Sequence, residues 1–286
     1  MFRYHAVPAG KRIQYTDGIF YPPKERRQKY SPYCINNMNH FPSINAISAS
    51  ICLLGCGLAL PVFSQQPEKG KPDAAHISKT KADWWSQRHA LLKQTLAETP
   101  CQLLFIGDSI THRWETDGKK IWSQYFSPYA PVNFGIGGDR TEHVLWRIDD
   151  SALKTPHSPQ VCVIMVGTNN TGQYKGRQTP QETAEGIREI ASRVHRLHPA
   201  TEIILLHIFP RGKTAEDPLR IQNEMINREL DKTNMPRVHV VNINSAFLDK
   251  DGTFLPGITG DLVHLTEKGY RLWADALLPE IKKYMK

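Results

Sequence analysis

Short apolar runs alternate with longer amphipathic segments through residues 75–286. The apolar runs are unbroken, which is typical of strands buried on both faces of a parallel sheet. The longer segments repeat their apolar positions at about the helical period. This alternation predicts an α/β domain in which helices cover both faces of one five-stranded parallel sheet. The predicted strands are residues 102–106, 132–134, 161–166, 202–209 and 238–241.

The longer segments predict five helices, at residues 83–98, 141–148, 180–197, 217–232 and 266–284. Pro180 suits the first turn of the third helix, and Thr266 is a suitable N-cap for the fifth. In the first helix we expect Trp84 and Trp85 to pack over the sheet rather than to bind a ligand. All of these elements lie in residues 79–286, which we expect to form a single domain.

An uncharged hydrophobic segment lies upstream of this domain. Residues 38–64 contain no Asp, Glu, Lys or Arg, and their apolar part, residues 46–63, is close to the minimum length that spans a bilayer. Residues 1–37 carry seven Lys or Arg against two Asp or Glu, and residues 65–78 have the character of a linker. This order predicts a signal peptide or a membrane anchor in residues 38–64.

Two details leave the processing of this leader open. Met38 is an alternative start; if Met1 is the start, we expect residues 1–37 to be a disordered basic leader. The sequence LLGC at residues 53–56 resembles a bacterial lipobox with Cys56 as the lipidated residue, and cleavage after Ser64 is the alternative. Either way the sequence predicts export to the periplasm or the extracellular space, with membrane attachment through residues 46–63 if the segment is retained.

Charge and cysteine content narrow the function classes. The 286-residue chain has a formal net charge of +8 at pH 7, but much of the excess lies in residues 1–37, so we expect no nucleic-acid partner. Five cysteines are too few for a disulfide framework in a chain of this length, and no His/Cys cluster has the spacing of a zinc site. We therefore expect neither a metal nor another cofactor.

Candidate catalytic residues follow the predicted strands, because functional groups of a parallel sheet collect outside the carboxyl ends of its strands. Ser109 follows the first strand, and Asp261 and His264 stand three residues apart before the last helix. A nucleophilic serine needs a histidine within hydrogen-bond reach and an acid that orients the ring, so these residues predict a serine hydrolase. The oxyanion donors would be the N–H of Ser109, an N–H of the glycine-rich loop 135–138 and the amide of Asn169.

These residues also have structural interpretations. A serine after a strand is commonly a helix N-cap, and asparagine is a common turn residue. Gly137 and Gly138 suggest a dinucleotide-binding loop, but Arg140 stands where the third glycine of that motif belongs. The absence of G-x-S-x-G argues against the α/β-hydrolase fold. We expect His112 to lie at the rim of the pocket or on the surface.

Seven segments carry a resemblance to a known family: FIGDS (105–109), NFGIGGD (133–139), HVLWR (143–147), VGTNN (166–170), PRG (210–212), PLR (218–220) and HLT (264–266). In them the chain resembles the SGNH (GDSL-type) hydrolase superfamily, and over residues 103–270 it is similar to the catalytic subunits of platelet-activating-factor acetylhydrolase isoform Ib. The resemblance implies a three-layer α/β/α flavodoxin-like fold without a metal. It implies Ser109 as nucleophile, Asp261 and His264 as acid and base, and Gly138 and Asn169 as oxyanion donors.

The resemblance also implies a small acyl pocket, with bulky residues at Ile110 and Val263 as in an acetyl-selective subfamily and Thr168 on the third side. We therefore expect an esterase that removes short acyl groups, acetyl above all, from an acetylated carbohydrate or a small lipid. The alternatives are a lysophospholipase or thioesterase, and a non-catalytic protein that keeps the fold for assembly. The sequence is also compatible with a homodimer.

Overall fold

The computed structural model describes residues 83–155, 158–172 and 178–286. The predictions for the leader, the signal or anchor segment and the linker, residues 1–78, concern parts of the chain outside these ranges. Within the described ranges, no helix combines the length and the apolar character that crossing a membrane requires.

The described residues contain one sheet of five strands, which are β1 (Leu103–Gly107), β2 (Pro131–Gly135), β3 (Val161–Met165), β4 (Glu202–Leu206) and β5 (Val238–Val241). All neighbouring pairs are parallel, and the strand order is β2-β1-β3-β4-β5. Leu103 lies opposite both Pro131 and Val161, so the three strands at this side of the sheet begin level. The predicted five-stranded parallel sheet is confirmed.

The fourth strand is shorter than the prediction of residues 202–209. β4 ends at Leu206, although the apolar run continues to Phe209. The N–H of Ile208 donates to the side-chain oxygen of Asn227 at 2.8 Å instead of to a neighbouring strand. Because Ile208 and Phe209 are themselves buried, hydrophobicity does not mark where the strand ends.

Within the described residues eight α-helices surround the sheet: α1 (Asp83–Glu98), α2 (Ser109–His112), α3 (Lys119–Tyr125), α4 (Thr141–Arg147), α5 (Thr168–Gly172), α6 (Pro180–Leu197), α7 (Pro218–Leu230) and α8 (Glu267–Lys282). The five predicted helices are confirmed as α1, α4, α6, α7 and α8. Thr266 is the N-cap of α8, since its hydroxyl accepts the N–H of Gly269 at 3.4 Å. The sequence did not predict α2 and α5, which are too short for a helical period, or α3, in which Ile121 is the buried residue.

Side chains of each strand alternate between two hydrophobic clusters, one on each face of the sheet. Leu104 and Leu205 belong to the cluster that includes residues of α1, α4, α6 and α7. Phe105 and Ile204 belong to the other cluster, with residues of α3 and α8. The domain therefore has the predicted three-layer α/β/α architecture.

The expectation that both tryptophans of α1 pack over the sheet is wrong for one of them. Trp85 is fully buried, whereas Trp84 is 53% exposed. Successive side chains of a helix point about 100° apart, so two adjacent indoles cannot both face the core. Trp85 takes the inward position, where its Nε1 donates to Asp139 at 2.7 Å.

A buried carboxyl group connects β1 to α2. Asp108 is the N-cap of α2, and its Oδ1 accepts the N–H of Ile110 at 2.9 Å. Burial raises the pKa of Asp108 to about 7, although the hydrogen bond from Ile110 acts in the opposite direction. Nearby Asp139 raises this pKa further, and Arg211 lowers it. The carboxyl group therefore takes up its proton near neutral pH.

This raised pKa predicts a pH-dependent stability. Between about pH 4 and pH 7 the folded protein binds a proton at Asp108 that the unfolded chain has lost, so this residue's contribution to the free energy of unfolding falls as pH rises through that window. The slope for one proton is at most about 1.4 kcal/mol per pH unit. Asp108→Asn retains the capping oxygen without the titration. We expect urea unfolding to show that the wild type loses stability relative to the variant from pH 4 to pH 7; parallel stability profiles would contradict this.

Candidate active site

Three side chains form a continuous hydrogen-bonded chain at the carboxyl edge of the sheet. Ser109 begins α2 directly after β1, and His264 lies in the loop before α8. Ser109 Oγ lies 2.9 Å from His264 Nε2, and His264 Nδ1 lies 2.6 Å from Asp261 Oδ2. The carboxylate favours the tautomer in which Nδ1 donates to it, which leaves Nε2 to accept from the serine hydroxyl. Such an arrangement can turn a hydroxyl group into a nucleophile.

Asp261 also shapes the loop that carries the histidine. Its Oδ1 accepts the N–H of Val263 at 3.0 Å and the N–H of His264 at 2.7 Å. Partial burial alone would raise the pKa of Asp261, but the hydrogen bonds from His264 and Val263 outweigh it and hold this pKa below its ordinary value. The group is therefore an ionised carboxylate at neutral pH, as an orienting acid must be.

The tight turn of this loop is supported by a neighbouring loop. Leu262 has a φ of +63°, a left-handed conformation that side chains other than glycine seldom adopt. The N–H of Gly212 donates to the carbonyl of Leu262 at 3.0 Å. Gly212 has a φ of +75°, and a Cβ there would lie 2.1 Å from the side chain of Asp217, so only glycine fits.

Buried Arg220, on α7, fixes this supporting loop. Its Nε and Nη2 donate to the carbonyls of Arg211 and Gly212, each at 2.8 Å, and its Nη1 donates to the carbonyl of Gly252. The sequence analysis did not identify Arg220 as a site residue, because its acceptors are backbone carbonyls, which leave no signal in the sequence. It acts on the site only through the loop that holds Leu262.

Gly138 and Asn169, the predicted oxyanion donors, lie beside one another. Residues 136–139 form a tight turn after β2, in which the N–H of Asp139 donates to the carbonyl of Ile136 at 3.2 Å. Gly138 is the third residue of this turn and has a φ of +71°, which glycine adopts without strain. Asn169, on α5, donates from Nδ2 to the carbonyl of Asp139 at 2.9 Å. The amide thereby packs against the turn that contains Gly138.

A buried ion pair also fixes the turn at residues 136–139. Asp139 is fully buried, and it accepts from Trp85 Nε1 at 2.7 Å and from Arg147 Nε at 2.9 Å. Arg147 also donates to the carbonyl of Phe134 at 3.1 Å, and its guanidinium lies 4.3 Å from the centre of that residue's ring. Removing either charge would leave the opposite charge of the ion pair buried without compensation. The pair therefore stabilises the packing of α1 and α4 against the end of β2.

The three predicted acyl-pocket residues have different surroundings. Ile110 is buried in the hydrophobic cluster on the α3/α8 face of the sheet, and Val263 is partly buried against the same cluster. Thr168 is also buried, but its hydroxyl and carbonyl oxygens accept from Arg211 Nη1 at 3.2 and 2.9 Å. The structure thus places Ile110 and Val263 in or against one buried hydrophobic cluster and Thr168 in a polar network.

Trp84, His112 and Ser109 approach one another around Gly137. A Cβ built on Gly137 would be 3.7 Å from His112 Nδ1, 3.8 Å from Trp84 Cη2 and 4.0 Å from Ser109 Cβ. His112 is partly exposed, as expected for a residue at the rim. The sequence analysis did not assign Trp84 to the site, because its helical pattern does not distinguish it from Trp85.

A cleft of about 480 Å³ adjoins Asp261 and His264. Its remaining lining is mostly polar or charged and consists of Arg113, Thr116, Asp117, Gly260, Leu265, Thr266 and Glu267. In the part of the chain that the structure describes, no group of three or more His, Cys, Asp or Glu side chains is arranged to hold a metal ion. The groups gathered here can activate a hydroxyl group and accept its proton.

Comparisons with known proteins agree with this geometry. The sequence model of the GDSL-like lipase/acylhydrolase family matches residues 105–272. The chain is 34% identical over 206 residues to platelet-activating factor acetylhydrolase IB subunit alpha1 of Homo sapiens, covering 70% of this chain and 83% of that protein. It is 35% identical over 202 residues to subunit alpha2 of Rattus norvegicus, with the same coverage.

Solved structures share the fold. A GDSL-like lipase from Bacteroides thetaiotaomicron superposes with a TM-score of 0.54 at 23% identity, covering 69% of this chain and 97% of that chain. A variant of an acetyl-xylooligosaccharide esterase from Geobacillus stearothermophilus superposes with a TM-score of 0.52 at 22% identity, covering 65% and 94%. Because the family model spans more than half of the chain and these relatives match most of it, the chain belongs to the GDSL-like lipase/acylhydrolase family and is a carboxylic ester hydrolase.

Proposed function

We propose that this protein hydrolyses short-chain oxygen esters, acetyl esters above all, through an acyl-enzyme formed on Ser109. The observation that carries the proposal is the chain of hydrogen bonds from Ser109 Oγ through His264 to Asp261, at 2.9 and 2.6 Å. These distances support Ser109 as the nucleophile, His264 as the base and Asp261 as the orienting acid of an acyl transfer.

In the proposed reaction Ser109 Oγ attacks the ester carbonyl while His264 Nε2 takes up the hydroxyl proton. Asp261 stabilises the imidazolium that forms and keeps Nδ1 protonated. The tetrahedral intermediate collapses, the carbon–oxygen bond to the alcohol breaks, and His264 returns the proton to the leaving oxygen. Water then attacks the acyl-enzyme with His264 as base, which releases the acid and restores the Ser109 hydroxyl.

The charge on the tetrahedral intermediate needs donors that are already oriented. We assign this role to the N–H groups of Ser109 and Gly138 and to the side-chain amide of Asn169. The hydrogen bond of 2.9 Å from Asn169 Nδ2 to the carbonyl of Asp139 fixes the side-chain amide. The amide nitrogen carries a second N–H, which we assign to the substrate. The buried pair of Asp139 and Arg147 keeps the glycine turn in place.

Two considerations support a short acyl group. Ile110 directly follows the nucleophile and Val263 directly precedes the base, so branched side chains flank both reacting residues. The names of relatives agree: one is an acetylhydrolase and another an acetyl-xylooligosaccharide esterase. The acyl group is thus assigned more narrowly than the rest of the substrate, for which one relative's name gives a xylooligosaccharide and another's gives platelet-activating factor.

We also propose that the protein is exported. The support is the sequence of its leader, in which a basic segment precedes the uncharged residues 38–64. Mass spectrometry of the N-terminal peptide from protein purified from its native cells would test this, since cleavage after Ser64 and lipidation at Cys56 each give a distinct mass. An uncleaved chain found only in the cytoplasm would contradict export.

Replacing the nucleophile tests the mechanism. We expect Ser109→Ala to fold normally and to lower kcat for acetyl esters by roughly 10⁶-fold, as removal of a triad nucleophile does. Ser127→Ala, which removes an exposed hydroxyl on a 3₁₀ segment (Ser127–Tyr129), is the control. A fluorophosphonate probe should label the wild type and the control but not Ser109→Ala. Labelling of Ser109→Ala would exclude Ser109 as the nucleophile.

Replacing the acid separates its two roles. In Asp261→Asn the oxygen that accepts from Val263 and His264 N–H groups is retained, but an NH₂ group replaces the oxygen that accepts from the ring. The imidazole is then no longer held in the tautomer whose Nε2 accepts from Ser109. We therefore expect kcat to fall by roughly 10³–10⁴-fold while the fold is kept. Asp231→Asn is the matched control, because it removes the carboxylate 2.8 Å from another histidine, His207. Equal activity of the two variants would refute the assignment of Asp261.

The acyl pocket can be tested with p-nitrophenyl esters of increasing chain length. We expect kcat/KM of the wild type to fall from acetyl to butyryl to octanoyl esters, by roughly tenfold or more at each step. Val263→Ala should flatten this slope, and its partial burial makes the change tolerable. Ile110 is in the core, where replacement by alanine would lower the free energy of unfolding by about 2–5 kcal/mol. Ile110→Val is therefore the preferable variant at this position. A wild type that prefers octanoyl esters would contradict the short-acyl pocket.

A further inference from the structure

Trp84 presents a large aromatic ring to solvent in the neighbourhood of Ser109. Its side chain is 53% exposed, and its Cη2 lies within 4.0 Å of the same point over Gly137 as Ser109 Cβ and His112 Nδ1. Scattered exposed apolar residues are ordinary on protein surfaces. An indole near a candidate nucleophile is different, because it can contact the alcohol portion of an ester bound at Ser109.

The part of α1 that follows this indole is fixed by two polar side chains. The next residue, Trp85, donates to buried Asp139 at 2.7 Å. One turn further on, Arg88 donates to the carbonyl of Gly135 at 2.8 Å and pairs with Glu115 through two hydrogen bonds of 2.9 and 2.7 Å. The first turns of α1, which carry Trp84, are therefore held against β2 and its turn.

The groups around Ser109 suit a polar ligand with a flat face. Burial, and then the charge of Arg88, lower the pKa of His112, so its ring is neutral at pH 7 and offers one donor and one acceptor. The cleft beside His264 includes the charged residues Arg113, Asp117 and Glu267. A lipid chain would need a continuous apolar surface here, whereas a sugar needs one aromatic face and several hydrogen-bonding groups.

We propose that Trp84 and His112 form a subsite for the ring of an acetylated pyranose, whose acetyl group is thereby presented to Ser109. The indole face carries the negative part of the ring quadrupole and attracts the weakly positive C–H face of a pyranose. The imidazole of His112 binds a ring hydroxyl. This inference rests on the proposed acetyl-esterase function and names the alcohol part of its substrate.

The test compares two acetyl esters that differ only in the alcohol: ethyl acetate and an acetylated methyl xyloside, with acetate release followed in a pH-stat. We expect Trp84→Ala to lower the ratio of kcat/KM for the xyloside to that for ethyl acetate by about tenfold, since stacking of this kind is worth about one such factor. Trp84→Phe should restore part of the ratio. Leu91→Ala, which removes an equally exposed side chain two turns along α1, should leave it unchanged.

A binding measurement separates the subsite from catalysis. In the Ser109→Ala background, calorimetry should detect the acetylated xyloside, and adding Trp84→Ala should weaken its affinity by a similar factor. An unchanged ratio together with an unchanged affinity would overturn the subsite. So would a Trp84→Ala variant that loses activity only toward an acetylated glyceryl ether presented in phosphatidylcholine vesicles. If the wild type hydrolyses neither ester, the proposed function fails, and the calorimetric result still decides the subsite.

Discussion

The hydrogen bond between Ser109 Oγ and His264 Nε2 joins residues 155 positions apart in the chain, and the proposed mechanism depends on its length of 2.9 Å. Ser109 is placed by β1 and by the capping of α2, whereas His264 is placed by a loop outside the sheet. A small shift of either element would break proton transfer, because proton transfer requires heavy-atom distances near 3 Å. Much of the surrounding structure therefore serves to fix two loops relative to one strand.

Each side of the site has its own support. On the histidine side, Asp261 accepts the N–H of His264 within the turn. The N–H of Gly212 donates to the carbonyl of Leu262, and buried Arg220 holds Gly212 by donating to its carbonyl. On the side of the predicted oxyanion donors, buried Asp139 connects the turn at residues 136–139 to α1 and α4, because it accepts hydrogen bonds from Trp85 and Arg147. Polar groups buried in this way are costly unless paired, so these contacts specify one arrangement rather than add general stability.

The sequence predicts the sheet well because buried parallel strands are unbroken apolar runs. It predicts the location of Ser109, Asp261 and His264 because the strand ends and the N-cap of the last helix mark where the loops lie together. It does not predict which of two adjacent tryptophans faces the sheet, since that depends on the distant Asp139. Nor does it predict the role of Arg220, whose acceptors are backbone carbonyls. The end of β4 is missed because the chain stays buried after the strand stops.

The central claim is that Ser109 carries the acyl group during turnover. The most direct measurement is mass spectrometry of the peptide containing Ser109 after incubation with an acetyl ester and rapid acid quenching. The account predicts the mass of one added acetyl group on Ser109, absent from Ser109→Ala. Turnover without acetylation of Ser109, or acetylation of another residue at the catalytic rate, would contradict it.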